Sequence, residues 1–257
     1  MIKNLKNYSF NLNVKKSVLN DITYRVKNSR IINDYGNKKW KYGTEGNYLK
    51  DLIDYWSNQY NWKKQEKEIN KFSHYKVKID DIPIHFIYEK GSGKNSKPLI
   101  LTHGWPWTFW DYKKIIEPLT YPEKYGGDVS ESFDVIIPSL PGYGFSTPLK
   151  KTGINFWKTS DIWVELMTNI LGYNKFFAHG GDWGAAVTLQ LGHKYSDIVP
   201  AIHTHMAVPI DFVTNPHPDV SFYSENEKKW YEKNMNFVTD GNGYFQIQAS
   251  KPQTLAY

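Results

Sequence analysis

Phe176-Phe177-Ala178-His179-Gly180-Gly181-Asp182-Trp183-Gly184-Ala185-Ala186 carries the reading of the fold. An apolar run passes at once into a Gly-x-Asp-x-Gly turn and then into small residues, the pattern of a buried strand that turns sharply into a helix. The G-x-S-x-G form of such an elbow presents a serine nucleophile; here the central residue is Asp182. A serine alkoxide suits acyl transfer, whereas a carboxylate can displace a leaving group from an alkyl carbon and is left as an ester that water can cleave. Gly180 and Gly184 keep the turn clear of side chains, and the N–H groups at the start of the following helix favour an ionised carboxylate and a later oxyanion. Taken alone, the pentapeptide reads equally as a Gly-rich turn in which Asp182 caps the helix.

On either side of the elbow, buried strands and helices alternate. Leu99-Ile100-Leu101 is a short buried strand, Trp107 to Ile116 a helix, and Phe133 to Ile137 another strand. Ser160 is placed to cap a helix with the apolar face Ile162, Trp163, Leu166, Met167 and Ile170, ended by Gly172. Past the elbow, Ala185, Ala186, Val187, Leu189 and Leu191 make a slim helix, and Ile198 to His203 the next strand. Upstream, Tyr75–Ile79 and Ile82–Tyr88 flank Asp80-Asp81 as a hairpin, preceded by a one-sided helix from Glu45 to Tyr60. This order predicts an α/β fold: a mostly parallel sheet with helices on both faces, entered through an antiparallel hairpin. From Val208 the pattern changes. Pro209, Pro216 and Pro218 punctuate a loop, Ser224 to Val238 reads as a polar helix, and Gly241 and Gly243 flank a turn. Three regions result: an extension over 1–74, a core over 75–207 and the start of a lid over 208–257.

The composition bounds what such a chain does. Its 257 residues, 40% hydrophobic and 16% aromatic, suffice for a full core and exclude disorder. The net charge of +6 is scattered over isolated lysine pairs, with no basic stripe or binding motif, which argues against a nucleic-acid partner. With no cysteine there is neither a disulfide framework nor thiol catalysis nor a thiolate metal site. No stretch approaches membrane-spanning length and no apolar segment follows Met1–Asn7, so the expectation is a cytoplasmic protein without a transmembrane anchor. His203 and His205 share a strand face, but with no third ligand evident no metal site is read there. Gly91-Ser92-Gly93-Lys94 lacks the spacing of a phosphate loop and leads into a strand instead of a helix.

A second constellation, His103-Gly104-Trp105-Pro106, directly follows the strand ending at Thr102. A carbonyl adduct on Asp182 needs two preorganised N–H donors. In an elbow fold these come from the residue after the nucleophile, Trp183, and from the loop after the third strand, Trp105. Pro106 can hold that loop through a restricted or cis peptide. Trp105, Trp107, Trp110 and Trp183 can line an apolar pocket, although such a set is more often core.

Together, His103-Gly104-Trp105-Pro106, Pro138-Ser139-Leu140-Pro141-Gly142-Tyr143-Gly144-Phe145-Ser146 and Gly180-Gly181-Asp182-Trp183-Gly184-Ala185 resemble the microsomal-type epoxide hydrolases of the α/β-hydrolase fold. Trp40, Gly43, Tyr48-Leu49, Tyr55-Trp56, Trp62, Gln65, Glu66, Asn70 and Ile84-His85-Phe86 look like that group's N-terminal extension, and Gly243 to Gln248 with Lys251 to Thr254 like its cap. The resemblance implies a cofactor-free hydrolysis of lipophilic epoxides to vicinal diols, as in xenobiotic detoxification. Asp182 opens the ring from behind, Tyr244 as a cap tyrosine protonates the departing oxygen, and water then attacks the ester.

Departures temper this. The family's water-activating histidine, its acidic partner and a second cap tyrosine lie beyond the cap, so the chain reads as a truncated member retaining the alkylation half. Pro106-Trp107-Thr108 stands where the family has Pro-Gly-Ser, and His205 where it usually shows asparagine. Haloalkane dehalogenation, which also uses an elbow aspartate, remains an alternative, as does a catalytically incomplete binding protein.

Overall fold

The computed structural model describes residues 5–206, 219–236 and 240–256. The chain divides into two compact units, Met1–Ala207 and Val208–Tyr257.

In the first unit, six strands form one sheet in the order β1-β2-β4-β3-β5-β6. The strands are β1 (His74–Ile79), β2 (Ile82–Glu89), β3 (Lys97–Thr102), β4 (Phe133–Pro138), β5 (Phe177–Gly180) and β6 (Ile202–Thr204). β1 and β2 form the hairpin and β2 pairs antiparallel with β4; the β4-β3-β5-β6 half is parallel. The runs in β3, β4 and β5 are apolar because both faces are covered. Alternate residues feed two clusters. Ile84, Phe86, Ile100, Ile136 and Ala178 pack with Ile162, Trp163, Leu166 and Val187, and Ile87, Leu101, Val135 and Ile137 pack with Phe109, Tyr112 and Ile116. The first cluster is closed by α5 (Phe156–Glu165) and α6 (Trp183–Lys194), the second by α4 (Ile116–Thr120) and the tight helical segment Phe109–Lys114.

The strand order places the switch of chain direction at β3, which leads to β4 on one side while β5 joins it on the other. Such a point opens a crevice at the carboxyl ends of the strands. Thr102 and Gly180 are register partners there, so the loops after β3 and β5 leave the sheet side by side.

The extension contributes α1 (Lys16–Lys27), α2 (Gly46–Asn58) and α3 (Trp62–Ile69). Leu12 and Ile69 enter the second cluster. Asn70 pairs both ways with the Leu12 backbone, and Glu66 accepts the Val14 N–H at 2.7 Å and the Trp62 indole N–H at 3.1 Å. Burial pushes the Glu66 carboxyl up, but the hydrogen bonds from Lys63, Val14 and Trp62 outweigh it and hold the group below its ordinary range.

Several elements differ from the sequence expectation. The helix before Gly172 starts at Phe156, not at Ser160. Asn155 Oδ1 takes the free Lys158 N–H at 3.0 Å one turn earlier, and the Ser160 hydroxyl donates to Trp157 O inside the helix. Trp107 stays outside the helix expected to begin there, because Thr108 caps the Trp110 N–H and the turn tightens from Phe109. β6 begins only at Ile202: the Ile198 and Val199 amides are spent on Tyr195 O and Pro200 has none to give.

In the second unit, α7 (Glu225–Asn236) opens with Ser224 and Glu227 bonded reciprocally, followed by α8 (Gly243–Ser250) and α9 (Pro252–Ala256). The proline loop at 209–218 and Val238 lie outside the described residues. No described helix is long and apolar enough to cross a membrane.

Candidate active site

Asp182 sits between β5 and α6 with φ 54° and ψ −128°, a conformation that costs a non-glycine residue about 1–3 kcal/mol and persists only where the surroundings enforce it. The enforcement is backbone packing. A methyl group added at Gly184 would overlap the Thr102 carbonyl, and one at Gly180 would overlap the carbonyl of Gly184. Strand end and helix start are thus in direct contact, which forces the chain through the strained corner.

Asp182 occupies the N-cap position of α6, yet its side chain makes no capping hydrogen bond. Its Oδ1 instead accepts the Trp105 N–H at 2.7 Å, across 77 residues of sequence. Gly104 lies so close that any side chain there would overlap the carboxylate. Capping alone does not account for this aspartate: the carboxylate is aimed away from its own helix and at the loop after β3.

That loop is held from beneath. The Trp105-Pro106 peptide is cis. His103, fully buried, donates from Nδ1 to Gly104 O at 2.9 Å and accepts the Leu140 N–H on Nε2 at 3.1 Å. These partners require the neutral ring with its proton on Nδ1. Burial pushes the His103 pKa down to about 4, against the opposing pull of Gly104 O and the Asp182 charge. The Tyr143 ring meets His103 edge-on, and burial followed by the Asp182 charge raises its phenol pKa, so the hydroxyl stays protonated near the carboxylate. At the end of β3, Tyr112 donates to Thr102 O at 2.8 Å and the Trp163 indole to Thr102 Oγ1 at 3.1 Å.

The structure therefore brings together Asp182, Trp105, His103, Gly104, Pro106, Gly180 and Gly184. Trp183 begins α6 with an exposed side chain. Trp107 is exposed, and Trp110 packs edge-on against Phe72 and Phe109, the contacts of a packing residue. Tyr244 lies on α8 in the second unit, about half exposed.

Three histidines meet at the ends of β5 and β6, and the sequence had linked only two of them. His179 and His203 are register partners with stacked rings, and His179 Nδ1 approaches His203 Nδ1 at 2.8 Å and His203 O at 3.1 Å. His205 packs over Gly181, where a methyl group would overlap its ring. Burial, then His203 and His205, push the His179 pKa down. Among the described residues no group of three His, Asp or Glu is arranged to hold a metal ion. The sequence reading also passed over His74, buried on β1, and gave His85 no role beyond its place in the family motif; a histidine inside an apolar strand is itself a signal, since a buried imidazole demands partners.

Residues 97–242 match the profile of the alpha/beta hydrolase fold, and the chain belongs to that family. Residues 7–112 match the profile described as epoxide hydrolase N terminus. The chain is 35% identical over 249 residues to a putative epoxide hydrolase of Stigmatella aurantiaca, covering 96% of this chain and 55% of that relative. It is 33% identical to epoxide hydrolase 1 of Sus scrofa, over 96% of this chain and 57% of the relative. The chain thus spans little more than half the length of these relatives. Among solved structures, the juvenile hormone epoxide hydrolase of Bombyx mori superposes with a TM-score of 0.78 at 26% identity, covering 96% of this chain and 57% of that one. The epoxide hydrolase of Aspergillus niger superposes at 0.83 with 24% identity, over 96% and 64%, a likeness of fold.

Proposed function

We propose that this chain carries the alkylating half of an epoxide hydrolase acting on lipophilic epoxides. The observation that bears most weight is the Asp182 carboxylate, held on a strained elbow and hydrogen-bonded by the Trp105 N–H. A carboxylate oxygen attacks a ring carbon, the carbon–oxygen bond of the strained ring breaks, and the released oxygen takes a proton from the Tyr244 phenol. The product is a β-hydroxyalkyl ester on Asp182. Water attack on the ester carbonyl, with the oxyanion received by the Trp105 and Trp183 amides, would expel the diol and restore the carboxylate, one proton of the water going to the departing alkoxide and the other back to the Tyr244 phenolate. Trp107 and Trp110 are assigned to the substrate side, a role that the packing of Trp110 favours less. Residues 1–74 serve as the extension, 75–207 as the catalytic core and 208–257 as the start of the cap, which carries Tyr244.

Intact-mass measurement after exposure to a styrene-type epoxide tests this. The expected result is an added mass equal to the epoxide, mapped to Asp182 and absent from Asp182→Asn. Folded protein that gains no mass refutes the reading, and halide release from a haloalkane without epoxide adduct would transfer the site to dehalogenation.

A further inference from the structure

A chain of buried hydrogen bonds runs from the extension to the oxyanion loop. It starts at Ile69 O, at the end of α3, which accepts from His74 Nε2 at 2.9 Å. His74 Nδ1 lies 2.9 Å from His85 Nε2, and His85 Nδ1 lies 2.9 Å from Ser139 Oγ. The direction of every bond follows from the first, because a carbonyl can only accept. His74 carries its proton on Nε2, so its Nδ1 accepts from His85 Nε2–H. His85 Nδ1 then accepts from the Ser139 hydroxyl. Both rings are neutral: burial lowers the His74 pKa, and burial followed by the nearby His74, Lys76 and His103 pushes that of His85 down to about 2. The rings stack at 5.2 Å, and Phe10, Phe109 and Phe145 close around His85.

The chain does not stop at Ser139. The Ser139 amide donates to His85 O, the Ser146 hydroxyl donates to Ser139 O, and the His85 amide donates to Ser146 Oγ, which locks this loop onto β2. The next residue, Leu140, donates its N–H to His103 Nε2; His103 donates to Gly104 O; and the residue after that, Trp105, donates to Asp182. Apolar side chains at positions 74, 85 and 139 would fill the same space without burying five polar atoms. What a directed polar chain adds is one defined geometry.

We infer that His74, His85 and Ser139 are positioning residues that hold the oxyanion loop, through Leu140 and His103, so that the Trp105 N–H stays aimed at Asp182. This rests on the reading of Trp105 and Asp182 given above. The relay reaches the nucleophile without touching it, and it makes docking of the extension a condition for the site's geometry.

Imidazole 15N spectra of the wild-type protein test the relay without any substitution. His74 and His85 should show the Nε2–H tautomer and His103 the Nδ1–H tautomer, with His85 and His103 not titrating between pH 5 and 8. A charged His85, or the opposite tautomer, overturns the inference. Amide hydrogen exchange in Ser139→Ala supplies the functional half, with Thr120→Val, a buried hydroxyl outside the relay, as control. Exchange at Leu140 and Trp105 should quicken at least about tenfold in Ser139→Ala alone, and epoxide adduct formation should slow by about 10- to 100-fold. Equal changes in the two variants, or unchanged exchange at Trp105, overturn it. If exchange responds but the wild type forms no adduct, the relay stands and the epoxide reading falls.

Discussion

The corner around Asp182 and the helix pair α1–α2 are held by different means. At the corner, glycine backbones touch neighbouring carbonyls, the imidazole of His103 is fully committed, and the carboxylate is met by a main-chain donor. In the helix pair, α1 has no buried residue and α2 only Gly46, while Val18, Ile22, Leu52 and Trp56 are exposed. The contrast teaches where exactness is stored in this molecule. The site has lost the freedom to adjust, whereas the helices keep it.

Three measurements break or sharpen that contrast. Gly184→Ala should be the most damaging, because the added methyl meets the backbone of β3, which cannot rotate away. A loss of about 4 kcal/mol, or failure to fold, is expected in thermal or urea denaturation. A variant that melts like the wild type would show that the corner adjusts after all.

Acid sensitivity comes next. His74, His85 and His103 have folded pKa values below the unfolded value of about 6.5. The unfolded chain therefore gains protons first: stability is full above about pH 6.5 and is lost as the pH falls, for His103 towards about 4 and for His85 towards about 2. The two rings held at about 4 and about 2 should together remove about 2 kcal/mol between pH 6.5 and 5.5, with His74 adding to the loss in the same direction, read from urea midpoints. A flat profile would mean that the buried rings take up protons as readily as the unfolded chain.

Leu52→Ser, on the exposed part of α2, should change stability by no more than about 0.5 kcal/mol in the same assay. A larger loss would show that the helix pair is held as tightly as the corner.

Legibility in the sequence followed the range of the forces involved. The elbow and the strands β3, β4 and β5 were readable because a Gly-x-Asp-x-Gly turn and apolar runs state their needs within a few residues. Helices α1 and α3 escaped notice: Lys16–Lys27 mixes charged, polar and apolar residues and buries none of them, and Trp62–Ile69, charged through most of its length, takes shape against distant partners such as Leu12 and Val14. The start of α5 was misplaced because Asn155 and Ser160 are both competent caps, and only packing chooses between them. The bond between Trp105 and Asp182 was half visible, as two loops expected at the ends of neighbouring strands. The Ser139–His85–His74 chain was legible only as imidazoles in need of partners: those partners are 54 and 11 residues apart, and nothing local announces which they are.

The ring of His205 fills the space above Gly181. Seen across a lineage, these two positions form one inheritable unit: a side chain can enter at 181 only where 205 has already shrunk or turned aside. Drift at either site is then gated by the other, and the residue before Asp182 answers to one that lies 24 positions further along the chain.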